Sequence, residues 1–368
     1  MAAKPKPAPG KVTPVDAAKK SRAKKSAGDI ELMVSLYTSG TPLSKTFDLD
    51  EEQKIVKTAA ADLHNGIASR FTVPFKELPD LLKVIASRQA IGLGVFDAKY
   101  GDEVNISTVK RLNASPKDDT IARTKENFKF PVGVGLGMFD HDPSPFGKTM
   151  TPEELVEAMV QIDPQIANAA HVVRGSVSAG VHKVDEEPQS GKGFHLYFPL
   201  EDASDFPRYT KAMHERLQLT GFGHIVITAN GVMKARSCID ICVASPERLI
   251  FEGEPVIKDD RLTNSAPEPK FTDGALLDTK ALPDLTPAER AELSKWETAE
   301  KMKLQPAADA QKQVWLDKYV AMQIDRGMSP DEARAKGEAC QAMGDDLYGD
   351  FILQFKHYGN LSSNHSTR

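Results

Sequence analysis

P-V-G-V-G-L-G-M-F-D-H-D-P, residues 131–143, is the stretch on which the fold turns. Val132, Val134, Leu136, Met138 and Phe139 make it apolar, and Gly133, Gly135 and Gly137 are interleaved with them. The pattern predicts a buried strand with one face bare of side chains, where another backbone or a ligand comes close. Asp140 and Asp142 stand two apart, so an extended chain points both carboxylates the same way before Pro143 ends the strand. Two like charges side by side repel each other unless a cation lies between them. Mg²⁺ or Mn²⁺, which prefers oxygen ligands, suits such a pair. A solvated D-x-D turn without chemistry is the alternative these residues leave open.

Working outward, 368 residues suffice for one large domain or two ordinary ones, and a 40% hydrophobic content supplies a core. The three cysteines, Cys238, Cys242 and Cys340, form no C-x-x-C pair, which argues against a disulfide scaffold and a zinc ribbon. Cys238 and Cys242 fall in an apolar run and are expected as buried free thiols. No apolar run approaches a membrane span, and the N-terminus lacks the apolar segment of a signal peptide, so a soluble cytoplasmic protein is expected. Charge is unevenly spread: residues 1–28 carry eight Lys and Arg against Asp16 alone, so this segment is +7 on a −5 chain and the remainder is −12. Such a Lys/Ala/Pro-rich tail is expected to be disordered, as a salt-sensitive nucleic-acid tether or as a solubilising leader.

Residues 29–130 read as mixed α/β, with an amphipathic helix over 75–87 (Leu78, Leu81, Leu82, Val84, Ile85) and a strand over 89–96. Residues 105–127 are polar and read as irregular. Thr151-Pro152-Glu153-Glu154 predicts a helix start with an N-cap, a proline at N1 and a capping box. Residues 171–181 read as a strand and a small-residue turn, and Asp185, Glu186 and Glu187 as a solvated loop. In 190–198, S-G-K-G-F-H-L-Y-F, strand alternation sets Phe194, Leu196 and Phe198 against His195 and Tyr197. A helix over 206–219 and a hairpin turning at Asn230-Gly231 follow. Residues 237–243 read as a strand with Ile239, Ile241 and Val243 on one face and Cys238, Asp240 and Cys242 on the other. An acid among such neighbours is costly unless it is paired or metal-bound.

Polar residues 258–285 read as a linker. Thr286-Pro287-Ala288-Glu289 and Ser329-Pro330-Asp331-Glu332 then open two helices of a small module, and 347–355 is a short apolar patch. The implied division is a basic tail (1–28), a catalytic domain (29–260), a linker (261–285), a helical domain (286–343) and an extension (344–368).

Three motifs now stand in chain order: F-D-H-D (139–142), G-F-H-L-Y-F (193–198) and C-I-D-I (238–241). With the flanks A-R-T-K-E-N-F (122–128), R-G-S-V-S-A-G-V (174–181) and P-E-R-L-I-F-E-G-E-P (246–255), residues 30–260 resemble the archaeo-eukaryotic primase superfamily. The likeness is to its phage and plasmid primase-polymerases. The resemblance implies an α+β fold: a primase-like catalytic core with a recognition-motif-like antiparallel sheet, followed by a small helical domain.

It implies that Asp140, Asp142 and Asp240 bind Mg²⁺ or Mn²⁺ and are catalytic, and that His195 contacts the incoming nucleotide. Lys192, Arg236 and Arg248 follow as further nucleotide ligands. His195 could otherwise be a satisfied core histidine, and Arg248 a surface partner of Glu247 or Glu252. The implied activity is template-directed nucleotidyl transfer on single-stranded DNA from NTPs or dNTPs by a two-metal mechanism. Ser190-Gly191-Lys192-Gly193 lacks the upstream glycine and following Ser/Thr of a P-loop, so a replicative helicase is expected as a separate partner or as part of a longer chain. A metal-dependent nuclease or replication initiator, and a non-catalytic DNA-binding protein, are the rival readings. His195 has no second histidine two places on, which a histidine-pair nicking initiator needs.

Overall fold

The computed structural model describes residues 26–58, 63–143, 147–187 and 193–343. The basic stretch 1–25, Lys192 and the apolar patch 347–355 lie outside the described residues. Helices and sheets mix as an α+β fold, and among the described residues no helix is long and apolar enough to cross a membrane.

The first sheet runs in the order Gln89–Gly92, Glu31–Ser39, Asn65–Pro74, Glu103–Ser107, Thr120–Ala122, antiparallel except for its last pair. Its last strand, the end of Glu103–Ser107 and the short helix Val109–Ala114 fall in the stretch expected to be irregular. Val104 and Ile106 alternate with exposed Glu103 and Asn105, so a half-buried strand runs into that polar sequence. The helix expected over 75–87 is a 3₁₀ turn, Phe75–Glu77, followed by Leu78–Val84 (α1), and it stops before Ile85 turns extended.

The second sheet carries the sequence motifs. Its order is Gly135–His141, Phe194–Leu200, His171–Gly175, Lys270–Thr272, all antiparallel. Beyond Gly135–His141 lies a single backbone bridge, in which Asp240 N donates to Asp140 O at 2.9 Å. In chain order this half runs strand, helix Pro152–Val160, strand, strand, helix Phe206–Leu217, bridge. The first of those helices begins on the capping box expected at Thr151 and Glu154. A hairpin, His224–Ile227 with Met233–Arg236, turns through Gly231, whose φ of 81° suits glycine.

The two glycines in the motif strand admit the helix side of the core. A Cβ on Gly137 would meet the Phe206 ring at 2.8 Å, and one on Gly135 would meet Ala203 Cβ at 2.5 Å. Phe139 packs edge-on to Phe206, with centroids 5.8 Å apart. The close approach read from the sequence is therefore filled by side chains, not by a ligand. The strand also starts later than read, since Val132 is 91% exposed and Gly133 sits at φ 86° in a bend. From the opposite face, Met138, Val172 and Tyr197 join Leu32, Val34 and Ile91 of the first sheet in one core.

Further expectations are corrected. Residues 237–243 form no strand: after its bridge, Asp240 caps the 3₁₀ turn Ile241–Val243 by accepting from Cys242 N at 2.9 Å. The turn leaves Cys238 buried and Cys242 exposed. Nor is 258–285 a free linker, because it supplies strand Lys270–Thr272 and buries Leu262, Leu277, Leu282 and Leu285. At the other end, Ala27 and Gly28, expected within the tail, are buried in a 3₁₀ turn, and Ala27 N donates to Gly274 O. The helical module is a pair, Pro287–Asp325 and Pro330–Met343, and the first opens on the expected Thr286 capping box.

Candidate active site at the end of the second sheet

Strand pairing assembles the acids. Asp140 lies opposite His195 in the sheet and opposite Asp240 across the bridge, so separate motifs meet at one point. Asp142 follows two residues later and is exposed, with Gly193 so close that a Cβ there would stand 2.8 Å from its Oδ1. The histidine between the two acids serves the framework: His141 is buried, with Nδ1 on Cys238 O at 2.7 Å and Nε2 accepting from Met150 N at 3.2 Å.

Asp140 is nearly enclosed, and burial lifts its carboxyl to about 6. His195 draws it down, while Asp142 and then Asp240 push it up and Lys45 adds a weaker pull down. Its Oδ1 is buried without a hydrogen-bond partner. A buried carboxylate oxygen left open, beside two further acids that repel it, is the setting a hard cation relieves. Mg²⁺ or Mn²⁺ therefore fits the donor chemistry, and Asp140, Asp142 and Asp240 are the residues that would hold it. Among the described residues, no group of three or more His, Cys, Asp or Glu side chains is already gathered closely enough to hold a metal ion.

His195 is only 8% exposed and lies between two acids. Its Nδ1 is 2.5 Å from Glu252 Oε1, and its Nε2 is 3.5 Å from Asp140 Oδ1. Burial alone would push the imidazole down, but Glu252 and then Asp140 outweigh it and hold the ring at about 9, as a cation at neutral pH. Tyr197 OH also donates to Glu252 Oε1, and Arg174 Nε lies 3.5 Å from Glu252 Oε2. Against its own burial, His195, Tyr197 and Arg174 keep Glu252 below the usual carboxylate range.

Glu252, Arg174 and Tyr197 were not singled out in the sequence as site residues. The signal was available, since Glu252 directly follows the apolar run L-I-F at 249–251. Lys45 was missed as well. Burial holds its ammonium below the usual value, and Asp142 then draws it up.

The other basic candidates are more peripheral. Arg236 ends the hairpin strand, and both it and Arg248 lower the Cys242 thiol that burial and Asp240 raise, which places them on the Asp240 side. Glu252 is taken by His195, Tyr197 and Arg174, and Ser245 Oγ donates to Glu247, so neither acid pairs with Arg248. Arg123 donates to Glu247 O at 2.8 Å and braces the loop after the bridge. Compared with known proteins, the chain matches no family model, no curated protein and no solved structure.

Proposed function

We propose that the chain is a DNA primase or primase-polymerase, joining NTPs or dNTPs on a single-stranded DNA template with release of pyrophosphate. The observation that carries this reading is the meeting of Asp140 and Asp240 across a backbone bridge, with His195 paired to Asp140 in the same sheet. The β-α-β-β-α order around them, closed by a single bridge at Asp240 where a fourth strand would lie, with the bridge, the Gly135–His141 strand, Phe194–Leu200 and His171–Gly175 side by side, supports a recognition-motif-like primase core.

A bound Mg²⁺ or Mn²⁺ would supply charge stabilisation at phosphorus and at the leaving oxygen. The chain's own contributions are distinct. Asp140 and Asp240 meet across the bridge and Asp142 follows two residues on, so their carboxylates would close on a cation as it binds, and the His195 ring offers an N–H to a phosphate oxygen. Arg236 and Arg248 add positive charge on the Asp240 side, and Lys45 on the Asp142 side. A replicative helicase acting as a separate protein would supply the opened template.

Labelled nucleotides offered on unprimed single-stranded DNA, with and without Mn²⁺, test the reading. Ladders of product that need the metal support it. Shortened template without incorporation turns the reading to a nuclease, and DNA binding without either product turns it to a non-catalytic binder.

A further inference from the structure

We propose that Glu252 is a positioning residue for the nucleotide phosphates, acting through His195; this rests on the polymerase reading above. Glu252 is 57 residues from His195 in sequence and arrives from the first-sheet side. Ile250 is bridged to Ile91 of that sheet by two backbone bonds, Ile91 N to Ile250 O at 3.0 Å and Ile250 N to Ile91 O at 2.8 Å. Ser44 Oγ then fixes Gly253 O at 2.9 Å. Between these anchors the Glu252 side chain crosses, fully buried, to the second sheet.

Oε1 accepts from His195 Nδ1 and from Tyr197 OH, and Oε2 lies 3.5 Å from Arg174 Nε, a charge contact without a hydrogen bond. Arg174 and His195 are themselves cross-strand partners, so the acid lies against two neighbouring cations of one sheet. Holding Nδ1–H fixes the tautomer and the plane of the ring, as a carboxylate behind a functional histidine does generally. Nε2–H is left as the free ring donor. It lies 3.5 Å from Asp140 Oδ1, and that oxygen has no hydrogen-bond partner. A phosphate oxygen arriving beside Asp140 finds this donor within reach.

The test measures affinity for ATP and for dATP, each with Mg²⁺, and for single-stranded DNA, in the wild type, Glu252→Gln, His195→Ala and the double variant. Glu252→Gln is expected to weaken nucleotide binding about tenfold and DNA binding less than twofold. In the His195→Ala background the same change is expected to add nothing, because its effect passes through the ring. Losses that add, or nucleotide and DNA affinities that fall together, overturn the positioning role. Nucleotide bound equally by wild type and Glu252→Gln overturns it while leaving the polymerase reading in place; a wild type that binds no nucleotide removes both.

A measurement on the unaltered chain covers the case in which Glu252→Gln fails to fold. With ¹⁵N-labelled histidine, the His195 Nδ1 proton is expected far downfield, where the contact with Glu252 Oε1 holds it. Nucleotide is expected to move the Nε2 proton and leave the Nδ1 proton in place. An unprotonated Nδ1, or an unmoved Nε2 proton with nucleotide bound, contradicts the proposal.

Discussion

His195 and His214 are both buried, yet their surroundings drive them to opposite states. His195, on the face that carries the acids, lies between Glu252 and Asp140 and is held as a cation, at about 9. His214, on the helix Phe206–Leu217, meets Ser237 Oγ at 2.8 Å and Gln218 Nε2 at 3.1 Å. Burial, followed by the nearby Arg236 charge, lowers it to about 4, a neutral ring. The difference sets a buried histidine held among acids at the end of one sheet against a buried histidine held by neutral hydrogen bonds on the adjoining helix. A structural core alone has no use for the first arrangement, because buried charges cost more than apolar replacements of the same shape.

Breaking the charged region should have the largest effect. Asp140→Asn, Asp142→Asn and Asp240→Asn are each expected to lower nucleotide incorporation about a thousandfold, the loss of several kcal/mol of transition-state stabilisation. Circular dichroism should show an intact fold, and full activity in any one variant removes that residue from the site. Next in size, Glu252→Leu should lower unfolding stability by about 3–5 kcal/mol in urea, because His195 and Arg174 are left as uncompensated buried cations. A change below about 1 kcal/mol would mean that the cluster is not charged as described.

The contrast sharpens with pH. The folded His214 resists protonation, so its contribution to stability is complete above the unfolded value of 6.5 and is lost as pH falls through 4, about 3 kcal/mol in all. Asp140 runs the other way: its folded value is raised to about 6, so its contribution is present below 3.8 and is lost as pH rises through 6. Urea unfolding in EDTA between pH 4 and 7 should therefore steepen in Asp140→Asn and flatten in His214→Gln. Parallel curves for wild type and both variants would contradict the two assignments.

The smallest effect concerns the helical pair. The helix Pro287–Asp325 docks on the hairpin that ends at Arg236: Gln311 Nε2 donates to Ala229 O at 2.8 Å, and a Cβ on Gly223 would meet the Trp296 ring at 2.6 Å. Starting a chain orders two nucleotides without a primer duplex, and a second binding surface offsets that entropy. A chain ending after Leu285 keeps strand Lys270–Thr272 and is expected to extend a primer while losing about tenfold in unprimed synthesis. Equal loss of both activities, or of neither, contradicts a priming role. A chain cut near Asp260 would lose that strand and lower both through instability.

What the sequence disclosed and what it hid follow from the range of the forces involved. The capping boxes at Thr151 and Thr286 and the turn at Gly231 are settled within a few residues, and all formed where their local chemistry placed them. The two strands that carry Asp140 and His195 were plain in the sequence from their alternation, but their pairing is seen only in the fold. Residues 237–243 had the same alternation but turned after Asp240, because its side chain satisfies Cys242 N in place of a ladder partner. Residues 258–285 looked like a linker because their anchors, Leu262, Leu277, Leu282 and Leu285, are spaced without period and bury against distant elements. Glu252 was hidden for the opposite reason: its partners are all long-range, and only the rule that an acid beside an apolar run needs a counter-charge points to it.

The most direct test of the central claim is unprimed synthesis by wild type and Asp240→Asn, side by side, with Mn²⁺ and labelled nucleotides on single-stranded DNA. Asp240 is the acid that joins the strand motif only through the fold, by its bridge to Asp140. The account predicts a metal-dependent product ladder from the wild type and none from a folded Asp240→Asn. Equal ladders from both, or none from the wild type under any divalent cation, would contradict it.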